Sequence, residues 1–392
     1  MGTGMGIPID YAIRNLGRSP TRLLLSLIGS TLVVLLVLAA GGFVRGMDRS
    51  LTVRSGQDNV MLFGAGSEES VERSEISPVV PGLVAANVPG IRTRFGVPYV
   101  SPEVHMQTTI RRSPEDTSNP QVLVRGVTPA AWLVHAGARV IEGRAAEAGR
   151  DEVVVGRLAH RKLGIANDEL SVEKQVWFDE RYWKVVGVFE FPGSVTESEI
   201  WCPLTDLQIA ARRDNLSCVV ITVDGADGFD DADAFAKQRL DLELVAQRES
   251  TYYAKLAGFF APVRVIVWVT AILIASGGLL GGLNTMYAAF ASRVREVGAL
   301  QAIGFSRRTI VKSLVQESVL AAMAGTLVAL LLGIIFLDGV TVQFSMGAFG
   351  LAVDGQVVLL AVGAGLFVGV LGALPPAMRC LRMPIAEALK AG

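Results

Sequence analysis

What most constrains this chain is a set of four long segments without a single charged side chain: Leu23 to Val44, Val265 to Ser292, Ser318 to Leu337 and Gln356 to Met378. The first holds 22 residues, 14 of them Leu, Ile, Val or Phe. About 20 such residues suffice to cross a hydrocarbon core of ~30 Å. On an insertion scale those side chains contribute roughly −4 to −8 kcal/mol before Ser26, Ser30 and Thr31 subtract some of it. A signal peptide would have a core of only about 7–15 residues, so the expectation is an uncleaved anchor. The second segment is uncharged for 28 residues, ~42 Å as a helix, and should project beyond the bilayer. Pro375-Pro376 should break the fourth helix near its end. Composition agrees with a membrane class, with 51% hydrophobic and 19% charged residues.

Basic residues set the expected orientation. Arg14, Arg18 and Arg22 precede the first span. Arg293, Arg295, Arg307, Arg308 and Lys312 lie between the second and third, and Arg379, Arg382 and Lys390 follow the fourth. The loop from Asp338 to Asp354 has no basic residue. The positive-inside rule then places both termini and the 293–317 segment in the cytoplasm, with residues 45–262 outside as one inserted domain. Arg45, Arg49 and Arg54 oppose this, but long domains translocate largely regardless of charge. The resulting division is 1–22 juxtamembrane, 23–44 span 1, 45–262 outside domain, 263–292 span 2 and 293–317 connecting segment. After these come 318–337 span 3, 338–355 outside loop, 356–378 span 4 and 379–392 tail. The net charge of −1 gives no reason to expect nucleic acid as a partner.

In the outside domain, short β-branched runs predict strands at Asn59–Leu62, Gln121–Gly126, Asp151–Val155 and Cys218–Val223, and a hairpin from Gln175 across Asp179-Glu180. Pro129–Ala136, Gly156–Leu163 and Ala232–Leu244 read as helices. Residues 68–81, 112–120 and 224–233 read as surface loops, so the fold class is a four-helix membrane protein with a mixed α+β insertion. Catalytic constellations are missing: His105, His135 and His160 form no HExxH pair and there is no GxSxG elbow. Asp230-Asp231-x-Asp233 reads as an acidic helix start rather than a calcium loop. The histidines are read as surface or satisfied residues, the tryptophans Trp132, Trp177, Trp183 and Trp201 as packing residues. No metal or cofactor is expected on this chain. Cys202 and Cys218 could bridge in an oxidising compartment, but two unpaired structural thiols is the reading adopted.

The most informative stretch is Arg293-Val-Arg-Glu-Val-Gly-Ala-Leu-Gln-Ala-Ile-Gly-Phe-Ser-Arg-Arg-Thr-Ile-Val-Lys312. Val294, Val297, Leu300 and Ile303 recur at helical spacing, so span 2 should continue as an amphipathic helix. Gly304 is placed to end it and Ser306 to cap a new helix leading into span 3. Basic loops of this kind can also bind anionic lipid headgroups. Inside the spans, Gly277 and Gly281, and Gly325 and Gly333 with Ala321 and Ala329, repeat at helical packing intervals, which suits close helix approach and a dimer seam. Asn284 is expected to hydrogen-bond a neighbouring helix.

The order R-x-R-E-V-G-x-L-x-A-I-G, followed by a basic helix, resembles the cytoplasmic segment of the MacB/FtsX-like permeases of ABC transporters. Ala12–Arg22 and Pro384–Lys390 are similar to that family's juxtamembrane helix and C-terminal ending, and the 45–262 insertion resembles its periplasmic core domain. The resemblance implies that Arg293, Arg295, Glu296, Gly298, Leu300, Gly304, Arg307, Arg308 and Lys312 couple to an ATPase. It also implies a homodimer or close-paralogue heterodimer in the bacterial inner membrane, with a periplasmic adaptor and outer-membrane channel as further partners. The implied work is export, or mechanotransmission, of lipoproteins, glycolipids, peptides or drug-like molecules. No GxxxxGK[ST] occurs, and no lysine follows a glycine, so ATP is expected on a separate subunit. The rival is a receptor or scaffold that signals inward, for which there is no recognisable output domain.

Overall fold

A computed structural model describes residues 20–50, 58–225, 227–338, 340–344, 347–382 and 384, the side chains of 21 and 22 excepted. The expected juxtamembrane segment and the Pro384–Lys390 ending lie outside the described residues, but for 20–22 and 384. The chain divides into two units, residues 1–45, 262–340 and 351–392, and residues 46–261 with 341–350.

The first unit holds four helices long and apolar enough to cross a membrane. Span 1 lies in helix Pro20–Ser50, span 2 in Ala261–Ala291, span 3 in Arg307–Phe336 and span 4 in Gly355–Cys380. Spans 1 and 3 approach closely because Gly325 has no side chain. A Cβ there would collide with Ser30 Oγ, and the Thr31 hydroxyl donates to the Gly325 carbonyl at 3.1 Å. Gly333 makes room for Leu38 in the same way, and Gly365 for Thr326. Span 2 is packed least: 6% of its most apolar window is buried, against 33% for each other span.

Two expectations are corrected here. The fourth helix does not stop at Pro375-Pro376 but runs to Cys380. Each proline removes only one backbone donor, and the turn beyond is held by Ala377, Cys380 and Leu381, which pack with Met286, Phe290 and Ile310. Asn284 bonds no neighbouring helix among the described residues and lies on the exposed side of span 2. Arg45, which opposed the charge rule, pairs with Asp354 at 2.8 Å, and Asp354 also caps span 4 by accepting from the Gln356 and Val357 amides.

The second unit is built on a ten-stranded mixed sheet. In chain order its strands are β1 (Asn59–Gly64), β4 (Val100–Thr109), β5 (Gln121–Val127), β6 (Arg139–Gly143), β7 (Glu152–Gly156), β8 (Gln175–Phe178), β9 (Arg181–Glu190), β10 (Ile200–Pro203), β11 (Cys218–Thr222) and β12 (Leu244–Arg248), while β2 (Thr93–Arg94) and β3 (Val97–Pro98) form a separate pair. The order is β12-β1-β11-β4-β5-β10-β7-β9-β6, with β8 on β9. The β8–β9 hairpin turns through Asp179 and Glu180, both at positive φ. Helices α1 (Val80–Asn87), α2 (Ala131–Val134), α3 (Ala159–Leu163), α4 (Leu204–Ala211), α5 (Gly228–Gln238) and α6 (Glu249–Phe259) complete it. Alternation along the strands sends Val104, Val124, Ile200 and Val219 into the largest core, together with Trp183 and Phe178. Trp201, Trp132 and Phe189 pack in another cluster.

Several sequence boundaries shift. Pro129–Ala136 and Gly156–Leu163 shrink to α2 and α3, with Gly156 ending a strand; α5 begins within the supposed loop 224–233, and Leu244 opens β12. The supposed 338–355 loop contains a hairpin, β13 (Thr341–Phe344) and β14 (Gly347–Gly350), that belongs to this second unit. Phe344 stacks edge-on against Phe260 at 5.2 Å, Lys162 of α3 donates to the Phe344 carbonyl at 2.7 Å, and Gly347 fits against Val195 and Ser198.

Candidate coupling site and the buried ion network

Span 2 ends at Ala291, and after a break at Ser292-Arg293 a nine-residue helix, Val294–Ala302, begins. The expected continuous helix is therefore interrupted. Arg293 explains the break: it turns inward, 13% exposed, and pairs with the buried Glu317 of span 3 and with Glu296, each at 3.1 Å. The apolar face of the short helix, Val294 and Val297, packs with Phe290, Ile310 and Leu314. Its end is a Schellman turn. The Phe305 amide donates to the Leu300 carbonyl at 3.1 Å and the Gly304 amide to Gln301 at 3.1 Å, while Gly304 takes φ +106°. Ser306 Oγ then accepts from the Thr309 amide at 3.2 Å and starts the next helix.

The nine sequence-selected coupling residues thus fall into different environments. Arg293 and Gly298 are enclosed and Leu300 is half-buried, whereas Arg295, Glu296 and Gly304 are exposed. Arg307, Arg308 and Lys312 are exposed on the following helix and line a groove. Ile303, not selected from sequence, is 73% exposed beside Gly304. Of the packing glycines, Gly325 and Gly333 meet span 1, while Gly277 and Gly281 have nothing within 4 Å.

The second unit holds a site that sequence reading missed. Glu103 and His105 lie two apart on β4, on the face opposite the main core. In register beside them are Arg125 of β5, facing His105, and Cys218 of β11, facing Glu103. Glu103 accepts from Arg125 at 2.8 Å and meets both His105 and His135, at 2.9 and 2.7 Å. Arg125 also makes a two-bond fork to Glu199, each bond 2.8 Å, and Trp201 donates to Glu199 at 2.9 Å. His135 lies 3.7 Å from Glu249 of α6, which accepts from Asn59 at 2.8 Å. Every member is buried. His105 and His135 are satisfied, as expected, but converge rather than scatter; His160 is half-buried on α3 and takes no part.

Burial alone would raise the Glu103 carboxyl, but the charges of His135 and Arg125 hold it well below the ordinary carboxylate range. Burial, aided by Arg125, lowers His105. For His135, burial works downward, but the charge and hydrogen bond of Glu103 outweigh it and leave the imidazole raised. Burial raises Glu249.

Glu103, His105 and Cys218 place three metal-ligand atoms within 4.8 Å of one another. Nitrogen, oxygen and sulfur donors are of the kind zinc takes. They fit it poorly here. Both Glu103 oxygens are already engaged, Arg125 puts a positive charge 2.8 Å from Glu103, and burial holds the Cys218 thiol in its protonated form. The group reads as an ion network. Cys202 and Cys218 are free. They sit on β10 and β11 with two strands between, roughly 14 Å apart at normal strand spacing and out of disulfide reach.

Four apolar spans, a large mixed α and β domain inserted between the first two, and a glycine-ended helical connection between the second and third define a permease-type membrane subunit. Residues 268–385 match the FtsX-like permease C-terminal model and residues 23–238 the MacB-like periplasmic core domain model. The chain belongs to the MacB/FtsX-like family of ABC transporter permeases. It is 24% identical to the macrolide export ATP-binding/permease protein MacB of Bordetella avium (strain 197N), over 84% of this chain but only 55% of that protein. To the uncharacterized ABC transporter permease YknZ of Bacillus subtilis (strain 168) it is 21% identical over 95% of both. The periplasmic region of MacB from Actinobacillus actinomycetemcomitans aligns with 51% of this chain and 93% of its own, at a TM-score of 0.39 and 12% identity.

Proposed function

We propose that this chain is the non-catalytic membrane subunit of an ABC transporter, coupling ATP hydrolysis on a separate subunit to work by its extracytoplasmic domain. The observation that carries this reading is the nine-residue helix Val294–Ala302. It is pinned on one side to spans 2, 3 and 4 through Val294, Val297 and Phe305, and it offers Arg295, Glu296 and Ile303 on the other. A helix so fastened passes a push from a docked ATPase to three spans at once. Because the hairpin Thr341–Gly350 belongs to the outer unit, that unit joins the spans through four chain connections, at 45/46, 261/262, 340/341 and 350/351. Movement of spans 3 and 4 would therefore reach the outer domain directly, favouring mechanotransmission over conduction.

In this reading both termini and the short helix are cytoplasmic, following the arginine bias, and the protein sits in the bacterial inner membrane. The open side of span 2, with Gly277 and Gly281, is covered by a second copy or a close paralogue. Lipoproteins, glycolipids, peptides and hydrophobic drugs are the substrate classes proposed, with a periplasmic adaptor and outer-membrane channel as further partners.

The test is purification of the full chain co-expressed with an ABC ATPase subunit from the same genome, comparing the parent with an Arg295→Ala, Glu296→Ala, Ile303→Asp triple variant. The variant should lose at least about tenfold in ATPase retention, since small interface clusters carry most of the binding energy. Undiminished retention and undiminished stimulation of hydrolysis would sink the reading.

A further inference from the structure

Beside the coupling helix, the first turns of the span 3 helix and the last turns of span 4 enclose a groove of about 660 Å³. Its floor is apolar: Val311, Val315 and Val319 follow one another at four-residue intervals on one helix, facing Leu374, Met378 and Leu381 on the other. Its rim is basic. Arg307, Arg308 and Lys312 stand along one side and Arg382 along the other, all four exposed, and no carboxylate lines the groove. Among the described residues none of these four makes an ion pair. The nearby acids are engaged elsewhere, Glu317 and Glu296 both with Arg293.

We propose that this groove binds an anionic phospholipid of the adjoining leaflet, its phosphate held by the basic rim and the start of an acyl chain lying on the valine floor. The two halves of the groove demand opposite properties of one occupant. Four cations without a counter-charge attract an anion, while the floor stays wet unless something apolar covers it. An amphiphile with a negative headgroup meets both demands, and the groove lies where a membrane supplies one, at the end of two apolar spans. The flanking stretches of this chain match it poorly in charge: residues 1–19 carry Arg14 and Arg18 against Asp10, and residues 383–392 carry Lys390 against Glu387. A bound lipid there would brace the helix that follows Gly304, next to the proposed ATPase contact. The inference uses only the groove and stands whether or not an ATPase docks on Val294–Ala302.

The experiment is native mass spectrometry of the full-length protein from mixed micelles containing equal phosphatidylglycerol and phosphatidylcholine. The parent should retain phosphatidylglycerol with about tenfold preference. An Arg308→Gln, Lys312→Gln, Arg382→Gln variant should bind the two lipids equally, and Val315→Trp, which fills the floor and leaves the charges, should retain less of either. Each variant is first confirmed folded by a single symmetric gel-filtration peak. Preference unchanged in the charge variant would overturn the proposal. So would displacement of the lipid by millimolar glycerol phosphate, which would make this a site for free phosphate. Loss of ATPase retention in the charge variant with lipid preference intact would make it a protein interface and would equally overturn it.

Discussion

Gly304 and Glu103 illustrate what single residues contribute. At φ +106°, Gly304 holds a conformation that a Cβ resists, and it lets the amides of residues 304 and 305 close the carbonyls of the preceding helix. Glu103 instead organises charge, joining His105, His135 and Arg125 in a buried site. The two histidines titrate in opposite senses. His135 is raised when folded, so its stabilisation is complete below its unfolded value near 6.5 and fades as pH rises through the raised folded value. His105 is lowered when folded, so it weakens the domain increasingly as pH falls below about 6.5. Hence His135→Gln should destabilise the protein more at about pH 5.5 than at about pH 8, and His105→Gln should show the reverse trend. Thermal unfolding of the full-length protein, followed by tryptophan fluorescence, to which Trp201 beside His135 contributes, measures both. Parallel pH profiles for the parent and both variants would disprove the assignment.

At the scale of elements, legibility followed how local the determining chemistry was. The four spans were readable because burying a charge in lipid is costly over any run of about twenty residues. The Gly304–Ser306 turn was readable because capping involves residues three to five apart. β4 was not: it contains Pro102, a residue uncommon inside strands, which nonetheless pairs with Val219. Its alternate positions Ser101, Glu103 and His105 are polar, a pattern that by itself fits a solvated strand face, yet all three are buried. Their partners, Arg125, His135, Glu199 and Glu249, all come from distant sequence, so the ion network has no local signature. The small-residue stripes were half legible. Spacing marked Gly325 and Gly277 alike, but Gly325 meets Ser30 and Leu27 of span 1 while Gly277 meets nothing. Gly325→Val should therefore disrupt the spans of a single chain and cost about 1–3 kcal/mol through overpacking. Gly277→Val should leave the monomer intact and weaken self-association instead. Thermal stability in detergent, read together with cross-linking in membranes, separates the two effects. A Gly277→Val monomer as unstable as Gly325→Val would contradict the packing described here.

At the scale of the whole molecule, the hairpin Thr341–Gly350 decides how work in the spans could reach the outer domain. A receptor or anchor would need only the two connections that flank residues 46–261. Here a third and fourth are added by ten residues whose two four-residue strands carry little sequence signal, because such short runs show no clear alternation until their docking partner is known. The hairpin is held by the Lys162 bond to Phe344, by ring contacts of Phe344 with Phe260 and Phe349, and by the Ala348 amide donating to Ser198 Oγ at 3.3 Å. Lys162 and Ser198 are distant in sequence but lie on neighbouring segments, the Leu158 amide donating to the Glu197 carbonyl at 2.9 Å, so the hairpin docks on one patch of the domain. Replacing residues 341–350 by an equally long Gly-Ser linker removes this grip but leaves the four apolar spans unchanged. The full-length variant should still insert and still retain an ATPase, with hydrolysis at the parental rate, while ATP-dependent change at the outer domain is lost by at least about tenfold. A fluorophore at a cysteine introduced at the exposed Glu115 reports that change in proteoliposomes on addition of ATP. An undiminished response would mean that spans 1 and 2 suffice, and the coupling route through spans 3 and 4 would have to be abandoned.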